Sequence, residues 1–194
     1  MKYLYQQQFR ELEFINFKSG QTVASIGAQC GNWEAAYAAT TDSIHFFLED
    51  IDTTYFNQRQ VAFAWHYYDS IRGKPMTNPY TMVIGNERST LLPENSFDKI
   101  IIKNSFHEFT YQDEMLADIK TKLKRDGILY IDETVPKREG ELHDVCKMPM
   151  ITQEEMISIL SKNGYKYLDG KEIVFRKNKV FRKIYAFVKN PSPG

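Results

Sequence analysis

The sequence predicts an α/β protein built on one doubly wound, mostly parallel β-sheet. Short runs rich in Val, Ile, Phe or Tyr alternate with helical stretches between about residues 20 and 165, as in parallel strands joined by crossover helices. Polar residues follow these runs, and the end of the chain has the pattern of an antiparallel hairpin. The strand candidates are residues 22–26, 44–48, 81–84, 99–103 and 128–132. Because a chain of 194 residues suits one domain, we expect residues 1–194 to fold as a single unit.

Two of the predicted helices begin with a capping pattern, a Thr followed three residues later by an acid. Thr110 and Asp113 form the first pattern, and Thr152 and Glu155 form the second. Gly127 and Gly164 are expected to end these helices. A further helix, with an aromatic core face, is expected at residues 56–71.

The last part of the chain predicts an antiparallel hairpin at the sheet edge. An apolar run at residues 173–175 leads into a turn at residues 177–179, and a second run covers residues 180–188. The sheet is therefore expected to be mixed.

The composition excludes several classes of protein. Basic and acidic residues balance at 25 each, so no overall field draws the chain to nucleic acid or anionic lipid. No apolar segment reaches the roughly 18 residues of a membrane span, and no signal-peptide pattern is seen. We expect a soluble, cytoplasmic protein. Cys30 and Cys146 are too few for a disulfide framework or a four-ligand zinc site, so no metal site is predicted.

The first strand ends in a turn bounded by Gly27 and Gly31 and is followed by an alanine-rich helix. Such a turn lets the backbone approach a ligand, and the helix start offers unpaired N–H groups. Asp50 follows the next strand, roughly 20 residues after Gly27, where a carboxylate can accept both ribose hydroxyls. The pattern predicts a site for a nucleoside-containing cofactor. A nicotinamide dinucleotide is the less favoured alternative, because its fingerprint needs glycines where Gln29 and Asn32 stand.

The carboxyl ends of the predicted strands should meet at the sheet edge where open α/β sheets bind ligands. These ends carry Gly27, Glu49, Asp50, Gly85, Asn86, Asn104 and Glu133.

Four segments of the chain resemble, in order, motifs of the class I S-adenosylmethionine-dependent methyltransferases. They are residues 18–31, 50–52, 92–108 and 123–131. The third match is the most specific, because an aromatic–acid pair, Phe97 and Asp98, opens the strand and His107 closes the loop after it. The resemblance covers most of the chain. It implies a Rossmann-like sheet of seven strands whose last strand is antiparallel.

The resemblance also implies a cofactor site for S-adenosylmethionine. The glycine turn would wrap the methionine and ribose, and Asp50, or Glu49 in its place, would hold the ribose hydroxyls. Ile51 would pack on the adenine. The cofactor-binding residues implied are Gly27, Ala28, Gln29, Gly31, Glu49, Asp50, Ile51, Asn86, Lys103 and Asn104.

His107 and Glu108 are the predicted catalytic residues, because a methyl acceptor that must lose a proton needs a base nearby. The alternative is that His107 caps its loop by hydrogen bonding and Glu108 faces solvent. Residues 1–19 are predicted to form a helical lid, with plain packing as the alternative, and residues 134–150 a mobile substrate-side loop. His143 and Cys146 in that loop are metal-ligand types, but two such ligands seldom make a site.

We expect the substrate to be a small molecule. The sequence does not decide whether the chain forms a homodimer. Ser25, Gln29 and Asn86 depart from the family pattern, and each change weakens one cofactor contact. The alternative function is therefore a methyltransferase-like binding or partner module with a degenerate cofactor site and no turnover.

Overall fold

The computed structural model describes residues 2–136, 138–176 and 179–190, and this part of the chain contains five α-helices and seven β-strands. The helices are α1 (Lys2–Ile15), α2 (Asn32–Ala38), α3 (Gln58–Arg72), α4 (Gln112–Lys122) and α5 (Gln153–Lys162). The strands are β1 (Thr22–Ile26), β2 (His45–Asp50), β3 (Tyr80–Ile84), β4 (Phe97–Lys103), β5 (Leu123–Thr134), β6 (Tyr165–Arg176) and β7 (Lys179–Lys189). A short 3-10 turn covers Phe106–Glu108.

The strands form a single sheet in the order β3-β2-β1-β4-β5-β7-β6. Strands β1 to β5 pair in parallel, and β7 lies antiparallel between β5 and β6. The strand order reverses between β1 and β4, because β2 and β3 lie beyond β1 on one side and β5 lies beyond β4 on the other. At such a point a doubly wound sheet opens a crevice at its carboxyl edge. The predicted seven-stranded, doubly wound sheet with an antiparallel last strand is confirmed.

Apolar side chains cover both faces of the sheet. On one face the core includes side chains from α1, α2 and α3, and on the other it includes side chains from α4 and α5. Val23 and Ala24 of β1 belong to opposite cores, because successive side chains in a strand point to opposite faces. The helices therefore fix the strand ends from both sides.

The region around α4 differs from the prediction in two ways. Thr110 does not cap the helix, because α4 begins after Tyr111, whose ring is held under the guanidinium of Arg88 at 3.4 Å. The helix also ends at Lys122 rather than at Gly127. β5 begins at once because Leu123 pairs with Phe97, and a Cβ at position 127 would lie 2.7 Å from the Phe97 carbonyl oxygen. Gly127 is thus needed inside the strand.

The second capping pattern is confirmed at α5. Thr152 Oγ1 accepts from the Glu155 N–H at 3.2 Å, and the Glu155 carboxylate accepts from the Thr152 N–H at 2.8 Å. Gly164 follows the helix end with a left-handed φ of 78°. The predicted hairpin is also present as β6 and β7, although residues 177–178 of its turn lie outside the described residues.

In the described part of the chain, every helix is too short or too polar to cross a lipid bilayer.

Candidate active site

The turn after β1 lies against the ends of two neighbouring strands. The N–H groups of Gly27 and Ala28 both donate to the Glu49 carbonyl oxygen at 3.0 Å. Gly27 has a φ of 74°, and a Cβ at this position would lie 2.5 Å from Ser105 Oγ. The turn therefore requires glycine both for its conformation and for the close approach of the loop after β4.

Gln29 holds a left-handed conformation that is costly for a residue with a side chain. Its φ is 48°, in the region that favours glycine, and its side chain is exposed. The Gln29 N–H donates to Asp50 Oδ2 at 2.7 Å, while Asp50 Oδ1 accepts from the Asp52 N–H at 2.8 Å. The Asp50 carboxylate thus joins the glycine turn to the end of β2.

A cavity of about 640 Å³ opens at the carboxyl ends of β1, β2, β3 and β4. The predicted cofactor residues that line it are Gly27, Gln29, Glu49, Asp50, Ile51, Asn86, Lys103 and Asn104. Ala28 is buried beside it, and Gly31 instead starts α2, where a Cβ would lie 3.2 Å from Leu48 and 3.3 Å from Val61. The predicted ends of β1, β2, β3 and β4 therefore converge on one space, whereas Gly85 and Glu133 are outside the described lining.

The cavity wall is rich in carboxyl groups. Those that line it are Glu49, Asp50, Asp52, Glu87 and Glu108. We call this set the acidic lining. The exposed, apolar side chain of Ile51 lies among them, with 52% of its surface accessible. The cavity thus combines negative charge with an apolar wall.

Glu49 is a buried carboxyl group with an unused oxygen. Burial, then the charges of Asp50 and Asp118, raises its pKa to about 8. Its Oε1 atom has no hydrogen-bond partner among the described residues. A Cβ at Gly85 would lie only 1.9 Å from that oxygen, so glycine makes room for the carboxyl group.

Asn86 is engaged in a local turn. Its Oδ1 atom accepts from the N–H groups of Arg88 and Ser89 at 2.9 and 3.0 Å. Little capacity remains on this oxygen for a donor group of a ligand, whereas the Asn86 amide nitrogen can still donate.

The side chain of Lys103 belongs to a buried network, although Lys103 itself lines the cavity. Its Nζ lies 2.8 Å from Asp132 Oδ2 and 3.0 Å from the Tyr37 hydroxyl, and it also donates to the carboxylate of Glu11 on α1. Burial would raise the pKa of Asp132, but Arg182 and Lys103 outweigh it and lower the pKa below its usual value. The Lys103 ammonium is thus already neutralised by protein groups.

Glu34 was missed by the sequence reasoning. Ser25 Oγ donates to Glu34 Oε1 at 2.6 Å, and Oε2 of the same carboxyl has no partner among the described residues. Burial raises the pKa of Glu34 to about 7. An acidic side chain therefore lies beside Ser25. Its position in the first turn of α2 was the available signal.

His107 and Glu108 point to different surroundings. Glu108 lines the cavity, whereas the described lining does not include His107, whose side chain is 1% exposed. His107 Nδ1 lies 2.8 Å from Glu133 Oε2. Burial lowers the pKa of His107, but the hydrogen bond and charge of Glu133 outweigh this, so the pKa is raised. The catalytic assignment of this pair stays a prediction.

The other ring nitrogen of His107 faces the loop after β5. His107 Nε2 lies 3.3 Å from Cys146 Sγ, and His143 Nδ1 lies 3.3 Å from the same sulfur. His143 and Val145 of this loop also line the cavity. The described lining contains no residue of α1, and the lid function of residues 1–19 stays a prediction.

Comparisons with known proteins agree with this geometry. A sequence model of a family described as "Methyltransferase domain" matches residues 35–131, half of the chain. Among curated proteins no match is found. Many solved structures match the fold, and three of them illustrate its range.

A SAM-dependent methyltransferase from Aquifex aeolicus aligns with a TM-score of 0.68 at 20% identity and covers 96% of both chains. Phosphoethanolamine N-methyltransferase 2 of Haemonchus contortus, in complex with S-adenosyl-L-methionine, has a TM-score of 0.65 at 16% identity, over 96% of this chain and 52% of that chain. The [4+2]-cyclase SpnF aligns with a TM-score of 0.71 at 16% identity, over 96% of this chain and 82% of that chain. Identities this low show a shared fold alone.

Proposed function

The chain belongs to the class I S-adenosylmethionine-dependent methyltransferase family, and from this premise we propose that it transfers a methyl group from S-adenosylmethionine to a small molecule. The observation that carries the proposal is the cavity in which the Gly27 turn and the Asp50 carboxylate meet at the crevice of the sheet. Its volume of about 640 Å³ falls in the range of small-molecule sites.

The residues around the cavity fit this cofactor. Gly27 gives the turn its left-handed conformation and lets the loop that carries Ser105 approach it closely. Asp50 offers a carboxylate for ribose hydroxyls, and Ile51 offers an apolar surface for the adenine ring. Glu49, whose Oε1 atom has no hydrogen-bond partner among the described residues, adds a buried carboxyl group to the cavity wall. When bound, S-adenosylmethionine supplies an electrophilic methyl group on a positively charged sulfur.

The chain's own contribution to the reaction is alignment and proton transfer. In-line displacement depends chiefly on holding the acceptor and the methyl group in register. We assign Glu108 as the base, because its carboxylate lines the cavity and lies 3.8 Å from His107 Nε2. His107 is then a positioning residue, fixed by its hydrogen bond to Glu133.

The alternative of a binding module without turnover rests on Ser25, Gln29 and Asn86. Ser25 is hydrogen-bonded to the buried carboxyl of Glu34, and neither residue belongs to the described lining of the cavity, so the change at Ser25 alters no side chain of that lining. Gln29 keeps its side chain exposed, so its replacement of glycine leaves the turn conformation in place.

Calorimetric titration with S-adenosylmethionine, S-adenosylhomocysteine and NAD tests the proposal. We expect both adenosyl ligands to bind, and Asp50→Ala to lower their affinity by about ten- to a hundredfold, as expected for the loss of one or two charged hydrogen bonds. The matched control is Asp126→Asn, whose side chain is 86% exposed and outside the described lining. It should bind as the wild type does.

Each other result has a defined meaning. Unchanged binding in Asp50→Ala with a loss in Glu49→Gln would assign the ribose to Glu49. An absence of heat with either adenosyl ligand at millimolar concentration would contradict the proposal and favour the binding module. Heat with NAD alone would favour a nicotinamide-dependent enzyme.

A further inference from the structure

Two histidines and a cysteine converge on one small space beside the cavity. The ligand atoms of His107, His143 and Cys146 all lie within 4.8 Å of one another. Imidazole nitrogen and thiolate sulfur are the donors that zinc and similar ions take in proteins. The three residues come from two loops, one after β4 and one after β5, so the sheet itself brings them together.

Backbone hydrogen bonds fix the second loop. The N–H of His143 donates to the Met148 carbonyl oxygen at 2.8 Å, and the Lys147 N–H donates to the His143 carbonyl at 3.1 Å. An isolated bridge joins Leu142 and Pro149. The turn thus closed presents His143 and Cys146 on the same side, with the His143 Nδ1 atom 3.3 Å from the sulfur.

Each histidine has a second partner that orients its ring. Glu133 Oε2 lies 2.8 Å from His107 Nδ1, which leaves Nε2 pointing at the cluster. The carboxamide of Asn104 lies 3.5 Å from His143 Nε2 and is also bonded to the Thr134 hydroxyl at 2.7 Å. Turning that carboxamide over gives His143 an acceptor and keeps the Thr134 bond. Metal-binding histidines have partners of this kind.

We propose that His107, His143 and Cys146 bind one divalent transition metal ion of the zinc type. A thiol has a single hydrogen and can donate to one of the two nitrogens that face it, whereas a metal ion uses all three donor atoms. Three protein ligands leave one of four tetrahedral positions open. The Glu108 carboxylate neighbours the cluster, with Oε1 at 3.8 Å from His107 Nε2. Because His143 and Glu108 line the cavity, the ion lies in the cavity wall.

The test uses the full chain, stripped with a chelator and titrated with Zn²⁺ and Co²⁺. We expect one ion per chain, release of the Cys146 proton, and a cobalt spectrum with tetrahedral visible bands and a thiolate charge-transfer band in the near ultraviolet. Cys146→Ser and His143→Asn should each weaken zinc binding by about a hundredfold. Both side chains are half-buried in a loop, so the fold should survive either change.

Two matched controls test a cysteine and a histidine outside this cluster. Cys30→Ser removes the second cysteine, and His66→Asn removes an exposed histidine on α3. Both should keep the affinity and the cobalt spectrum of the wild type.

Equal zinc affinity in wild type, Cys146→Ser and His143→Asn would overturn the proposal. So would a cobalt complex without the thiolate band. Rapid alkylation of Cys146 that zinc does not slow would also overturn it and would assign the cluster as a hydrogen-bonded, activated thiol. S-adenosylhomocysteine affinity, measured on the same samples, reports on the cofactor site separately, so failure of one proposal is distinguishable from failure of the other.

Discussion

At the scale of single residues, the protein keeps two carboxyl groups buried, Glu49 in the cavity wall and Glu34 on α2 outside the described lining. Glu49 has a pKa of about 8 and Glu34 a pKa of about 7, each raised first by burial. Each also has one oxygen without a partner among the described residues. A carboxyl group held in this way is costly to ionise and is more often retained for binding than for stability.

The burial of Glu49 predicts how stability depends on pH. Its pKa in the folded chain lies above the 4.5 of an exposed carboxyl, so the folded state binds the extra proton, and stability falls as pH rises from about 4.5 through about 8. We expect Glu49→Gln to make the loss of stability between acid and alkaline pH smaller, by on the order of 2 kcal/mol in the free energy of unfolding. Urea denaturation at about pH 5 and pH 9 measures it.

The control for this change is Glu94→Gln, because the Glu94 side chain is 76% exposed. It should leave the pH dependence as it is in the wild type. A Glu49→Gln variant with the wild-type slope would mean that Glu49 ionises without penalty in the folded protein.

At the scale of elements, α1 is attached to the sheet by charge as well as by packing. The buried Glu11 carboxylate accepts from the Lys103 ammonium and from the Tyr37 hydroxyl. The Lys99 ammonium donates to the Ile15 carbonyl oxygen at 2.6 Å, at the helix end. The helix thereby steadies the strand whose backbone reaches the cavity.

This attachment predicts different costs for two neighbouring glutamates of α1. Glu11→Gln leaves the buried Lys103 with one carboxylate fewer and should lower the free energy of unfolding by about 2 kcal/mol. Glu13→Gln weakens an exposed pair with Lys171 and should have no measurable effect. Chemical denaturation of both variants decides the matter, and equal losses would contradict a role for the buried pair.

The elements were predictable from sequence where local patterns decide them. The apolar strand runs, the Thr152 capping box and the terminal hairpin all follow from periodicity and turn chemistry. The start of β5 was not predictable, because it depends on the pairing of Leu123 with Phe97 on the neighbouring strand.

In the candidate site too, some residues could be predicted from the sequence and others could not. Gly27, Asp50 and Asn104 could be placed because strand ends meet at one edge of a parallel sheet. The contact between His107 and Cys146 joins residues 39 positions apart through a loop, and no local pattern reports it. The Ser25–Glu34 pair likewise depends on how α2 packs.

At the scale of the whole molecule, ligand binding should raise the free energy of unfolding. The cavity is built from loops that follow four strands, so unfolding of the sheet destroys it and the ligand binds the folded chain alone. At a hundredfold excess over its dissociation constant, S-adenosylhomocysteine should stabilise the fold by about 2.7 kcal/mol. For a domain of this size that is roughly 5–10 °C in Tm, read by differential scanning fluorimetry. NAD should leave Tm unchanged, and an equal shift with NAD would contradict the assigned cofactor.

The acidic lining also affects the release of the spent cofactor. Asp50, Asp52 and Glu87 present negative charge to the cavity, whereas the Lys103 ammonium is held by Glu11 and Asp132. The negative charge attracts the positively charged sulfur of S-adenosylmethionine. It does not attract the neutral thioether of S-adenosylhomocysteine in the same way. We therefore expect the lining to favour the fresh cofactor over the spent one, so that product release is fast and product inhibition weak.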